Sequence, residues 1–377
     1  MSSDHPHEPH EDLDTERGRR KDEHLSLALS QRAGAQPRSA FDDVEFLHHA
    51  LDGIDETAVD LSTQVGPARW PLPLYVNGMT GGTATTAALN RELAITARET
   101  GLPIGSGSMS IALDDPSTAE GFRVLRSENP DGFVMANLGA GRSADDARRA
   151  VDLIAADALQ LHVNAVQETV MPEGRRDFSR WTRSIEQIVA ASPVPVVVKE
   201  VGFGLSGRTQ LRLRELGVQI ADVSGAGGTD FVRIENSRRE RPDYAHLEGF
   251  GQSAVECLLD ASTDLPLLAS GGVRSPLDVI RALALGARAV GVAGGFAQVA
   301  SEGGAEALIP HVRRWCEQLR QLHALLGAAG PAELVHTDLL LRGRVQEFCT
   351  LRGLDAGAMS RRRERSRPIP EGEPHVR

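Results

Sequence analysis

The sequence predicts an α/β fold of the TIM (β/α)8 barrel class, on three observations. From residue 72 onward eight short apolar runs recur, each leading into a Gly/Ser/Asn-rich loop and most into an amphipathic stretch. Most of these units repeat every ~25–35 residues, the length of a βα unit in a parallel barrel. The alternative architecture, a doubly wound sheet, normally carries G-x-G-x-x-G after its first strand, where this chain has Gly78-Met79-Thr80-Gly81-Gly82.

Taken in order, residues 1–18 are polar, charged and aperiodic and read as a disordered tail. Residues 19–30 begin basic and become amphipathic, which predicts a short helix within a capping segment, 19–71. The barrel is expected over 72–347. Its strands are Leu72–Asn77, Leu102–Gly105, Phe133–Asn137, Ala158–Val163, Val194–Val198, Gln219–Val223, Leu265–Ala269 and Ala289–Val292. Helical patterns lie between them at Thr85–Thr100, Ala144–Ala155, Arg180–Ala191, Thr209–Leu216, Gln252–Ala261 and Pro276–Leu285. Residues 348–377, with an Arg-rich run at 361–367, read as a solvated, disordered C-terminal tail.

Composition narrows the function. A net charge of −11 over 377 residues argues against nucleic-acid or anionic-membrane partners. No apolar run reaches the ~20 residues of a membrane span, and the N-terminus lacks the apolar core of a signal peptide. Cys257, Cys316 and Cys349 have no metal-type spacing, two of them fall in helical patterns, and the expected compartment is the cytoplasm. Of 41 basic residues only Lys21 and Lys199 are lysines. Such bias suggests that these two sites need a compact ammonium.

Barrel chemistry sits on the loops that follow strand C-termini. At the end of the fourth strand, in Leu161-His162-Val163-Asn164-Ala165-Val166-Gln167-Glu168, residues 162 and 164 share a face, with Gln167 and Glu168 on the loop above. His162 and Asn164 can donate to anionic oxygens, and Glu168 offers one hard ligand, as suits Mg2+ held largely by phosphate and water. Gln167 cannot titrate near neutrality, so it can only orient or relay a proton beside a group that does. The plain alternative is a strand end fading into solvent. Ser270-Gly271-Gly272 after strand seven and Ala293-Gly294-Gly295 after strand eight have the positions of a barrel phosphate site. Lys199 ends strand five and reads as a Schiff-base nucleophile, a cofactor counter-charge or a surface charge. With no aldolase-like context, the counter-charge is chosen, beside N1 of a flavin. The loop from Ser224 to about Phe250, with its glycines and the run Arg238–Arg241, reads as a mobile lid or a plain insertion. Small polar groups on nearly every strand favour a flat, heteroatom-rich ligand.

At this point the chain resembles the type 2 isopentenyl-diphosphate isomerases, from about Arg19 to Gln346. The specific segments are Arg20-Lys21-Asp22-Glu23-His24-Leu25, Asn77-Gly78-Met79-Thr80-Gly81-Gly82, the stretch His162 to Glu168, and Ser224-Gly225-Ala226-Gly227-Gly228-Thr229. The resemblance implies interconversion of isopentenyl diphosphate and dimethylallyl diphosphate with FMN active in its reduced form, Mg2+, and NADPH as reductant, in a homotetramer or homo-octamer. It implies that Arg20, Lys21, His24, Ser108, Met109, Ser110, His162, Asn164 and Gln167 contact substrate, Gln167 as the catalytic residue, and that Glu168 binds the metal. Gly78, Met79, Thr80, Ser108, Asn137, Lys199, Ser224, Thr229, Gly271, Gly272, Ala293 and Gly294 would hold FMN, with Ser106 the alternative to Ser108. Some members carry Arg where Ser110 stands, so one basic contact to diphosphate is absent here. The rival reading is an FMN oxidoreductase of the 2-hydroxy-acid-oxidase type, whose His base and carboxylate-binding Arg near strand seven are not offered by Gly251-Gln252-Ser253.

Overall fold

The computed structural model describes residues 10–32, 38–79 and 81–366. Eight parallel strands close into one barrel: β1 (Leu74–Val76), β2 (Ile104–Gly105), β3 (Val134–Gly139), β4 (Ala158–His162), β5 (Val196–Lys199), β6 (Ile220–Asp222), β7 (Leu267–Ser270) and β8 (Ala289–Val292). They pair in sequence order, and β8 pairs with β1 through Val290–Leu74 to Val292–Val76. All eight expected strands are present. The hydrogen-bonded cores are shorter than the apolar runs at the proline-flanked starts, because Pro73, Pro103, Pro195 and Pro266 bring no N–H to the ladder.

Alternation along each strand sorts the side chains. Leu74, Val76, Leu159, Leu161, Val196 and Val198 point outward into a core shared with the helices, among them Ala84–Thr100, Ala144–Leu153, Trp181–Ala191 and Pro276–Ala284. The next residues along, Tyr75, Met135, Ala158, Val197, Ile220, Leu268 and Ala289, form a separate apolar cluster. It is completed by Val65 and Trp70 of a hairpin, Thr63–Val65 with Ala68–Trp70, that precedes the barrel. Trp70 packs edge-on to Tyr75 at 5.6 Å and tilted against Phe133 at 5.3 Å. The hairpin thus plugs the N-terminal end, and the opposite end is left for chemistry.

Two boundaries differ from the sequence reading. The N-terminal helix spans His10–Arg32 and so begins inside the stretch read as a tail. Lys21, Leu25 and Ala28, at i, i+4 and i+7, bury one stripe of it. At the other end, residues 348–366 are a structured part of the fold. Helix Gly343–Arg352 buries Cys349, Arg352 donates twice to Asp260 Oδ1 (3.0 and 2.8 Å), and the Arg363 N–H donates to Asp338. Charged side chains of the stretch that looked solvated have specific partners: Arg352 pairs with Asp260, Arg363 with Asp52, and Arg362 donates to the Ala284 carbonyl. A further antiparallel pair, Val44–Phe46 with Leu339–Leu341, ties the capping segment to the C-terminal region.

The plug makes a direct stability prediction. Trp70→Ala empties the sealed end of the barrel and should cost about 3–5 kcal/mol in chemical denaturation. A loss under about 1 kcal/mol would show that the hairpin is not part of the core.

Candidate active site

The open end of the barrel is a cavity of about 1220 Å³. Its floor is the last polar layer of the strands: Asn77, Asn137, His162, Lys199, Ser224 and Ser270. Glycine lets the backbone form the rest. A Cβ on Gly78 would collide with the Ser106 carbonyl, and Gly271 (φ +93°) packs against the Gly225 carbonyl. Gly271, Gly272, Ala293, Gly294 and Gly295 line one side, where the helix beginning at Gly294 presents its first N–H groups. Glycine backbone beside a helix start is an arrangement that suits a phosphate group. Lys199 lies across the floor, 5% exposed, and its Nζ donates to the Glu200 carbonyl at 2.9 Å.

At the mouth of β4 the strand ends at His162, and Asn164 is the cap residue of a short helix, Ala165–Val170, that carries Gln167 and Glu168. Asn164 Nδ2 donates to both Gln167 Oε1 and Glu168 Oε1 at 3.2 Å. Glu168 Oε2 accepts the Arg175 N–H at 2.7 Å. His162 Nδ1 is 2.8 Å from Asn137 Oδ1, and burial, Lys199 and Lys21 hold the ring down to about 3. A neutral ring with its proton on Nδ1 leaves Nε2 as an acceptor. The role expected of His162, donation to an anionic oxygen, therefore requires a proton that arrives with the ligand.

The N-terminal helix forms the roof. Lys21 is 9% exposed, donates to the Ser108 carbonyl at 2.8 Å and sits 5.5 Å above the Phe122 ring. Burial, then the neighbouring Arg20, push it down to about 7. Arg20 Nη1 donates to Glu173 at 3.0 Å, and His24 Nε2 lies 3.1 Å from Glu235 Oε1.

Glu235 was not singled out in the sequence. It lies on helix Phe231–Ser237 inside the expected lid, and it is completely buried. Gln167 Nε2 donates to its Oε1 at 2.7 Å, and Arg238 Nη1 to its Oε2 at 2.6 Å. Burial pushes its carboxyl up, but the contacts of His24, Gln167 and Arg238 outweigh that and hold it below the usual range. Arg238 also reaches Glu173 and Glu23, and Arg239 lies over Tyr244. The segment read as a lid or an insertion is thus built around a helix and pinned across the mouth. Only the titratable partner that Gln167 would need hinted at such a residue.

Of the other expected site residues, Met79, Ser108, Ser110, Ser224, Thr229 and Gly272 line the cavity. Met109 does not: its side chain is buried in the outer core, because it is the cap residue of Ser110–Asp114. Ser106 is fully buried beneath the wall, and its hydroxyl has no partner among the described residues. Thr80 lies outside the described residues. The donor set fits FMN: a glycine cradle for the phosphate, a buried cation and a ring of amides and hydroxyls. Glu168 lines the same cavity and offers one carboxylate, a donor of the kind that suits Mg2+ held mainly through phosphate oxygens.

Comparison with known proteins agrees with this geometry. The model of the FMN-dependent dehydrogenase family matches residues 126–341. An isopentenyl-diphosphate delta-isomerase of Kitasatospora griseola is 57% identical, covering 91% of this chain and 94% of the relative. One of Streptomyces sp. (strain CL190) is 55% identical over 91% and 95%, and one of Staphylococcus haemolyticus (strain JCSC1435) 43% identical over 91% and 98%. Among solved structures, a mandelate oxidase variant with 2-hydroxy-phenylacetamide superposes with a TM-score of 0.62 at 21% identity, covering 88% of this chain and 98% of that one. At that identity the likeness shows the fold alone.

Lys21 generates a pH prediction. Its attractive, protonated form prevails below about 7 and is lost as pH rises through that value. Affinity for inorganic diphosphate, measured calorimetrically, should therefore fall more steeply across neutral pH in the wild type than in Lys21→Gln. Parallel curves would remove Lys21 from the anion site.

Proposed function

The chain belongs to the isopentenyl-diphosphate delta-isomerase family, and we propose that its cavity carries out the family's allylic proton shift with reduced FMN, Mg2+ at Glu168 and NADPH as the electron source. The enzyme is an isomerase that interconverts isopentenyl and dimethylallyl diphosphate. The observation that carries the mechanistic reading is the Gln167–Glu235 bond in the cavity wall, in which Glu235 is fully buried.

The reaction adds a proton at the terminal alkene carbon and removes one from the allylic carbon. When bound, reduced FMN supplies π density and negative charge against the cationic character that develops at the tertiary carbon. The protein's own work is binding, orientation and proton handling. Arg20, Lys21 and His24 bind the diphosphate from the roof, and the Glu168 carboxylate would hold Mg2+, whose charge would help neutralise the diphosphate. These contacts are remote from the reacting carbons, so their energy goes into holding the alkene in place. Gln167 cannot titrate, but Glu235 behind it is held ionised and can take a proton. Asn164 fixes the Gln167 amide from the other side. Gln167 thus orients the proton path and Glu235 is its terminus.

Four further readings belong to the proposal. Lys199 is the counter-charge at the flavin N1 edge. Ser108 rather than Ser106 meets the flavin, because Ser108 faces the cavity. The protein acts in the cytoplasm, consistent with the described residues containing no helix long and apolar enough to cross a membrane. It assembles as a homotetramer or homo-octamer, without nucleic-acid partners.

Anaerobic conversion of isopentenyl diphosphate with FMN and Mg2+ should appear only when NADPH or dithionite is present. Bound, reducible FMN with no conversion, but with turnover of lactate or glycolate and oxygen, would favour the oxidoreductase. Gln167→Ala should lower turnover about 10²–10⁴-fold with the flavin spectrum retained. A wild-type rate would take Gln167 out of the chemistry.

A further inference from the structure

The cavity floor rests on one carboxylate that none of the readings above uses. Asp222 ends β6 and is completely buried. Its Oδ2 accepts the Tyr75 hydroxyl at 2.6 Å and Asn77 Nδ2 at 3.3 Å, and its Oδ1 accepts the Ser224 N–H at 3.1 Å. The Ser270 hydroxyl lies 2.9 and 3.0 Å from the two oxygens. So many converging donors make a site for an ionised carboxylate. Burial and the Asp222 charge push the Tyr75 phenol far above its ordinary value, so it stays a donor.

Asp222 and Lys199 are paired residues on neighbouring strands. Among the described residues the buried Lys199 ammonium has one hydrogen-bond acceptor, the neutral Glu200 carbonyl. One carbonyl is poor compensation for a desolvated cation. The charged and titratable groups around it divide clearly. On β4, His162 pairs with Lys199 but is neutral. At the end of its own strand, the Glu200 carboxylate is engaged by the N–H groups of Val201 and Phe203, both at 2.6 Å, and burial raises it to about 7. On β6, Asp222 is the fixed anion. Burial lowers the Lys199 pKa, and Asp222, ahead of Glu200, opposes that. Asp222 also holds Ser224, a non-glycine residue at φ +38°, in its strained conformation on the floor.

We propose that Asp222 is a positioning residue for the cofactor chemistry: its buried charge keeps Lys199 protonated in both oxidation states of the bound flavin. The inference rests on Lys199 lying beside that flavin. Two-electron reduction to the anionic flavin would then take up one proton, on the flavin. Without Asp222, Lys199 would be neutral over the oxidised flavin and would gain a proton when the ring becomes anionic, so the same two electrons would bring two protons.

The test is the pH dependence of the flavin midpoint potential, titrated with dithionite between about pH 6 and 9. Asp222→Asn, which keeps the shape of the side chain, should double the slope, and the double variant with Lys199→Met should restore the wild-type slope. An unchanged slope in Asp222→Asn, or a doubled slope that survives loss of Lys199, overturns the proposal. Should Asp222→Asn fail to hold flavin, the wild type and Lys199→Met still decide. The potential gap between them should be constant across that range, whereas a gap that closes as pH rises would mean that wild-type Lys199 loses its proton. A wild-type protein that binds no FMN would instead refute the functional reading itself.

Discussion

The rest of the structure depends on the alternation of strand side chains between the barrel axis and the surrounding helices. Each strand sends every second residue inward, and the inward positions are not equivalent. Those near the hairpin are apolar and fill a sealed space, whereas at six of the eight strands the last inward positions before the loop are polar and form a floor. A one-residue slip in register would place Lys199, Asp222 and His162 among the helices, where no partner waits. Register is therefore enforced from both sides, by apolar packing below and by polar satisfaction above. The polar floor specifies the fold as well as serving the chemistry.

Glu235 plays the corresponding part at the roof. Three segments far apart in sequence meet at its carboxylate: the N-terminal helix through His24, the β4 loop through Gln167, and its own segment through Arg238. Removing any one partner leaves a buried charge less well compensated, so closure of the cavity and orientation of Gln167 are coupled. The surface ion pairs of Arg20 and Arg238 with Glu173 add little energy individually. Their value lies in fixing where the roof sits relative to β4.

The barrel was legible because its period is short and its signals are local. The strands announce themselves by short apolar runs such as Val196-Val197-Val198, and many of the loops by glycine. The glycine-lined side of the cavity was legible for the same reason, since its position follows from strand order. What local pattern could not reveal was pairing across the chain. Glu235 looks like any acid on an exposed helix until the fold brings His24 and Gln167 to it. Asp222, in Ile220-Ala221-Asp222-Val223, looks like the polar end of a strand. Met109 was drawn into the site by its neighbours, although the capping turn sends its side chain outward. The C-terminal stretch looked solvated because the carboxylates its arginines meet, Asp260 for Arg352 and Asp52 for Arg363, are far away in sequence.

The use of lysine follows from the same physics. The chain carries 39 arginines and two lysines, and both lysines are nearly buried in the cavity. Arginine cannot shed its charge, and its planar fork needs several acceptors at once, a demand met at the surface by the paired carboxylates of Asp42, Asp114 and Asp264. Among the described residues the cavity offers each lysine a single carbonyl acceptor, that of Ser108 or of Glu200. An ammonium can be accommodated there because it is compact and because its proton is adjustable. Lys21, with Arg20 beside it, sits close to its titration point, while Lys199 has Asp222 in register. Two identical side chains thereby stand in different electrostatic settings: Lys21 beside a cation, Arg20, and Lys199 in register with an acid, Asp222.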